Sequence, residues 1–262
     1  MPLPPHASGA AAELAGKHAA DHPTKLYGAW FSPFVQRVWI TLCEKNVPHQ
    51  YIEVNLGRKE PEFLAMNPRG LVPILALAAE QRPLYESSII CEYLEDKFPH
   101  HQLLPSDPYT RAHARLWINH INTRIIPAFY KFLQHTTDRS YSLEEIRTEF
   151  LGHIRSFTEQ MHSQGPWFLG EDISLVDISL APWAQRLWLL DHFKIGGAGI
   201  PLKDRDDIWQ RWSKWYDAVM KRQSVQETWS EDEKYIITYQ RYADDTTKTL
   251  VGQATRLGQM LP

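Results

Sequence analysis

The chain has 262 residues, 43% hydrophobic and 12% aromatic, with 28 basic against 31 acidic residues and a formal charge of −3. That composition belongs to a globular rather than a disordered chain, and the near-balanced charge without like-sign runs does not suggest a nucleic-acid footprint. The apolar runs fall well short of the ~18 residues that cross a bilayer, so neither nucleic acid nor membrane is expected as a partner.

In chain order, the first twenty residues lack a basic start followed by an apolar core, so a cytoplasmic address is expected. Ala, Pro and Gly dominate residues 1–24, which read as a flexible arm. KLYGAW, starting at Lys25, predicts a strand, and after Ser32 and Pro33 the apolar residues Phe34, Val35, Val38, Trp39 and Leu42 recur at helical spacing. HQYIEVNL predicts a second strand, parallel to the first if the helix is a crossover. A short helix in EPEFLAMNP, strands in RGLVPILAL and RPLYES, and a helix in SSIICEYLEDKF complete a β-α-β-α-β-β-α order over residues 25–98. Residues 99–108 carry three prolines and read as a linker. Residues 109–229 are helical in pattern, and 230–262 form a polar tail with scattered aromatics whose order the pattern leaves open. The expected architecture is a small α/β domain followed by a larger all-α domain.

Cys43 and Cys91 sit in apolar helical patterns outside any CxxC pair, which predicts core thiols. The scattered histidines show no zinc spacing, so no metal site is expected.

Four local features bear on chemistry. Ser32 before Pro33 is either a plain N-cap or a hydroxyl that donates to an anion held at the helix N-terminus. A thiolate suits that place. Lowering a thiol pKa of ~8.5 by ~2 units requires ~2.7 kcal/mol. One hydrogen bond to a charged group supplies ~1.5–3 kcal/mol and a helix N-terminus ~0.3–1 kcal/mol. X–Pro bonds are usually trans, yet Val72-Pro73 opens a strand straight after an Asn-Pro-x-Gly turn, which raises the prospect of a cis bond that would turn the Val72 backbone outward to pair with a peptide-like ligand. Glu86-Ser87 is either a capping pair or a carboxylate and N–H cluster able to seize an amino-acid head group. Ser174 and Asp177 are spaced as a capping box, flanked by Ile173 and Ile178 as a hydrophobic staple, and read as a folding signal.

These motifs in this order resemble the cytosolic glutathione transferases over about residues 25–220, and the omega and tau classes in particular. SPF, NLGRKEPEF, NPRGLVPIL, LYESSIICEYL, LLPSDPY and SLVDISLAPW carry the resemblance. It implies a thioredoxin-like N-terminal domain that binds glutathione as cosubstrate, an all-helical C-terminal domain and a homodimer. Residue by residue, it places Ser32 at the catalytic position against the glutathione sulfur with Phe34 beside it. Lys59 would meet the glycyl carboxylate, Val72 before cis-Pro73 the cysteinyl backbone, and Glu86 with Ser87 the γ-glutamyl group. A small hydrophobic electrophile is expected between the domains, with His120, Arg124, Pro127, Phe129, Tyr130, Trp183 and Trp188 as candidates that serve equally as core. Omega enzymes normally carry Cys where this chain has Ser32, so disulfide exchange is not expected. Conjugation or peroxide reduction is the reading. Thiolate-assisted cis-trans isomerisation or biosynthetic tailoring, and a non-catalytic binding role, are the alternatives; a whole glutathione grip argues against the last.

Overall fold

The computed structural model describes residues 3–201 and 206–262. The chain divides into two units, one made by the chain up to Leu104 together with Lys221–Tyr235, the other by Pro105–Met220 with Ile236–Pro262.

In the first unit, helix α1 (Gly9–Lys17) precedes β1 (Thr24–Gly28), α2 (Pro33–Glu44), β2 (Gln50–Glu53), α3 (Pro61–Met66), β3 (Ile74–Leu77), β4 (Leu84–Tyr85) and α4 (Ser87–Lys97). The strands lie in the order β2-β1-β3-β4. β1 and β2 are parallel across the α2 crossover, while β3 runs antiparallel to both β1 and β4. The expected element order is present. Leu26, Val38, Trp39, Leu42, Ile74, Leu75, Ile90 and Leu94 form the core, where sheet and helices bury their apolar faces against each other. Cys91 is buried and Cys43 partly so, and both are free thiols.

Three boundaries differ from the sequence reading. The stretch expected as a loose arm contains α1, whose Ala11 and Leu14 are buried and whose Ala11 N–H donates to the Trp229 carbonyl at 3.0 Å. The linker begins inside this unit. Lys45 and Glu95 form a buried ion pair at 2.6 Å, Glu95 accepts the Leu103 and Leu104 N–H groups, and Lys45 donates to the His100 and His101 carbonyls. Segment 221–235, with α11 (Gln223–Glu227), joins the unit because Arg222 grips Glu44 through two bonds of 2.8 and 2.5 Å and Thr228 accepts from Gln36. Such partners lie far apart in sequence, and no local pattern announces them.

The second unit is helical: α5 (Pro108–His120), a π turn (Ile121–Ile125), α6 (Ile126–Leu133), α7 (Leu143–Thr158), α8 (Leu175–Ala184), α9 (Trp188–Phe193) and α10 (Asp207–Lys221). The tail is ordered as α12 (Asp232–Ala243) and α13 (Leu250–Leu257). Its aromatic residues explain why. Tyr239 and Tyr242 are buried, Arg186 donates to the Tyr239 hydroxyl at 3.0 Å, and Tyr242 lies 5.6 Å from Tyr130. The capping box of α8 is present, with Asp177 accepting the Ser174 N–H at 2.8 Å, and both staple residues are buried. Among the described residues no helix is long and apolar enough to cross a membrane, and no cluster has the makings of a metal site.

Candidate functional site

The sheet register gathers the site. Tyr27 pairs with Ile74 and Ile74 with Tyr85, so the residues just beyond these pairs, Ala29 to Ser32, Val72-Pro73 and Glu86-Ser87, converge at one end of the sheet. Gly28 makes the first approach possible. A Cβ there would stand 2.5 Å from Val35 Cγ1, so only glycine lets the strand end meet the first turn of α2.

After Gly28 the chain turns, the Ser32 N–H donating to the Ala29 carbonyl at 2.9 Å, and Ser32 becomes the N-cap of α2 with Pro33 in its first turn. Its Oγ accepts from Val35 N at 3.4 Å, a long bond that leaves the hydroxyl hydrogen to be donated elsewhere. The side chain is mostly covered, at 9% exposure, and the positive end of the α2 dipole lies at its oxygen. Phe34, half-buried, lies under the buried Arg37 guanidinium at 5.8 Å, and Arg37 reaches Ser87 Oγ at 3.4 Å. Arg37 thus bridges the N-termini of α2 and α4.

The Val72-Pro73 bond is cis, as the sequence suggests. Before it, Asn67 builds a turn by accepting the Arg69 N–H and donating to the Leu71 carbonyl, and Gly70 closes it at φ +63°. Lys59, exposed, brings its ammonium to this turn, 2.8 Å from where a Gly70 Cβ would stand. Glu86 holds a positive φ of 70°, a conformation rare outside glycine and one that its surroundings must hold in place. It pairs with Arg69 at 2.7 Å, each side chain 46% exposed. Ser87 is buried at the start of α4. The end of the sheet therefore presents a hydroxyl, two helix N-termini, a carboxylate and the cations Lys59 and Arg69. Arg37 and Arg69 escape a sequence reading, because their partners Ser87 and Glu86 lie 50 and 17 residues away.

The second set of candidates does not assemble. Phe129, Tyr130 and Trp183, at 0%, 2% and 1% exposure, are core residues with no surface to offer a ligand. Arg124 and Pro127 line a cavity of about 190 Å³ with Lys131 and His153, and His120 lies beside His153 at 5.8 Å between ring centroids. Burial lowers the pKa of both histidines, and Arg124 lowers each further. Trp188 lines a separate cavity of about 330 Å³ with Trp209, Trp212 and Tyr216.

Two families match this chain: the glutathione S-transferase N-terminal domain over residues 26–102 and the C-terminal domain over residues 140–218. The chain belongs to the cytosolic glutathione transferases. It is 31% identical over 226 residues to omega-1 glutathione S-transferase of Sus scrofa, covering 83% of this chain and 88% of that protein. The crystal structure of glutathione transferase Omega 3C from Trametes versicolor superposes with a TM-score of 0.78 at 39% identity, over 88% of this chain and 99% of that one. A tau-class enzyme from mango superposes with a TM-score of 0.72 at 26% identity, over 86% of this chain and all of the other. The family resemblance read from the motifs thus holds, and glutathione is the cosubstrate of this glutathione transferase family.

Proposed function

We propose that this glutathione transferase binds glutathione at the end of its sheet and holds the sulfur as a thiolate through the Ser32 hydroxyl, for attack on a small hydrophobic electrophile. The observation that carries the reading is the Ser32 N-cap, whose oxygen accepts from Val35 and whose hydrogen remains to be given to an anion in front of α2. In this reading the glycyl carboxylate meets Lys59, the cysteinyl backbone pairs beside Val72 and Pro73, and the γ-glutamyl group lies between Glu86, Ser87 and Arg69. Conjugation then forms a carbon–sulfur bond with the thiolate electron pair, while the leaving group departs with its own pair or the opened double bond takes a proton. A serine oxygen forms no mixed disulfide, so thiol transfer by that route is outside the proposal.

The test is a titration of bound glutathione by ultraviolet absorbance in wild type and Ser32→Ala. Loss of the hydroxyl raises the bound thiol pKa by about one to two units, the equivalent of one charge-assisted hydrogen bond. An identical thiol pKa in the two proteins, or no glutathione binding at all, overturns the mechanism. Product masses with a panel of alkyl halides, conjugated enones and hydroperoxides distinguish conjugation, which leaves a glutathione adduct, from isomerisation and from peroxide reduction.

A further inference from the structure

The turn that ends in Ser32 is held by a carboxylate that takes no direct part in the thiolate chemistry. Parallel pairing of β1 with β2 sets Glu53 beside Gly28, the Val54 N–H donating to the Gly28 carbonyl at 2.6 Å. From there Glu53 Oε1 accepts the Trp30 N–H at 2.9 Å, at the first central position of the turn that ends in Ser32. Its other oxygen accepts the Tyr51 hydroxyl at 3.3 Å, and the carboxylate also accepts the Ala7 N–H. Residues 3–8 are bound to the same place by further contacts. The Trp30 indole donates to the Pro4 carbonyl at 3.1 Å, its ring meets Tyr235 edge-on at 5.1 Å, and Ser8 exchanges hydrogen bonds with Ser230 and Glu231. Trp30 is thereby held by its backbone, its indole N–H and its ring, two residues before Ser32.

We infer that Glu53 is a positioning residue: its carboxylate ties the N-terminal segment and the Trp30 turn to the end of β2, and so aims the Ser32 hydroxyl at the glutathione sulfur. The inference rests on Ser32 being the donor to the thiolate. A β-turn has few internal constraints, and a hydroxyl that must meet a sulfur within a few tenths of an ångström needs its backbone fixed from outside. The titratable groups acting on Glu53 are Tyr51 from β2 and, through Tyr51, Tyr235 of segment 221–235; the N-terminal segment and the Trp30 turn contribute backbone N–H groups. None of these donors carries a full positive charge. Burial, as the largest cause, pushes the Glu53 carboxyl up to about 7. Protonation turns one of its oxygens into a donor and weakens acceptance by the other, so the hold on Trp30 loosens as pH falls through neutrality.

The experiment uses glutathione as the probe and compares wild type, Ser32→Ala and Glu53→Gln from about pH 5.5 to about 8.5, a range that brackets the transition. In wild type the thiolate fraction of bound glutathione falls more steeply below neutrality than a single proton allows. In Glu53→Gln that extra steepness is absent, and the thiolate fraction at neutral pH falls about threefold to tenfold, as for the loss of part of one hydrogen bond. A Glu53→Gln titration that superposes on wild type overturns the positioning role. If Ser32→Ala also superposes, the Ser32 reading has failed; if Ser32→Ala raises the thiol pKa and Glu53→Gln does not, only the Glu53 inference has. Should Glu53→Gln not fold, amide exchange on wild type decides: protection of the Trp30 N–H, corrected for intrinsic exchange, drops several-fold from pH ~8 to pH ~6, and protection independent of pH overturns the inference.

Discussion

Glu53 shows how a single side chain trades stability for position. Its carboxyl rises from the ordinary 4.5 to about 7 in the fold, so the native state holds that proton more tightly than the unfolded chain does. Stability is therefore lost as pH rises from about 4.5 to about 7 and stays lower above it, by on the order of 3 kcal/mol. Glu53→Gln, neutral at every pH, should melt above wild type at pH ~8 and converge with it in acid. A Gln variant less stable by a constant amount across the range would contradict this assignment. The cysteines invite a simpler test. Burial pushes Cys43 up to about 12 and Cys91 to about 11, so the native protein should resist iodoacetamide at pH ~8 and react only once unfolded. At this scale the readable residues are those whose partners are local: Ser32 with Val35, and Pro73 in its own peptide bond. Glu53 escapes a sequence reading because Trp30, which it holds, lies 23 residues away.

At the scale of elements, α8 and the long α5–α6 helix give opposite lessons. The Ser174–Asp177 box is legible because a capping box is a spacing rule within one turn. Folding adds to it. The same carboxylate also accepts the Phe168 N–H at 2.8 Å and the Trp215 indole N–H at 2.7 Å, so one side chain anchors a loop, a helix start and α10. Asp177→Ala strands these buried donors and should cost roughly 3–5 kcal/mol, read as a lowered urea midpoint with altered Trp215 fluorescence. A loss below ~1 kcal/mol would mean that the residue acts only as a cap. The helix after Pro108 illustrates the reverse. Pro127 has no N–H to give, and the preceding turn widens so that Ile126 donates to the Ile121 carbonyl. The extra residue rotates α6 relative to α5 by about 100°, which sends Phe129 and Tyr130 into the core while Arg124 stays exposed. A regular helical period cannot foresee that shift.

For the whole molecule, the homodimer implied by the family resemblance is open to a direct test. Tyr85 and Ile89 in the first unit, and Tyr109 and Leu116 on α5 in the second, are exposed apolar side chains of the kind a second copy covers. Light scattering should accordingly give twice the 30.5 kDa chain mass, and Leu116→Asp should lower it toward that of one chain. A wild-type protein that scatters as a single chain would overturn the homodimer that the family resemblance implies.

Local sequence is enough for the element order over residues 25–98, the α/β part followed by a helical one, the cap at Ser32, the α8 box and the family, because each is written in neighbours or in a run of motifs; the cis Val72-Pro73 bond it only suggests. Tertiary structure decided what depends on distant partners. It recruited segment 221–235 to the first unit through Glu44, converted the arm into α1, paired Arg69 with Glu86 and set Glu53 beneath the Trp30 turn. Pairing register and burial create those contacts, and neither is a property of any local stretch of chain.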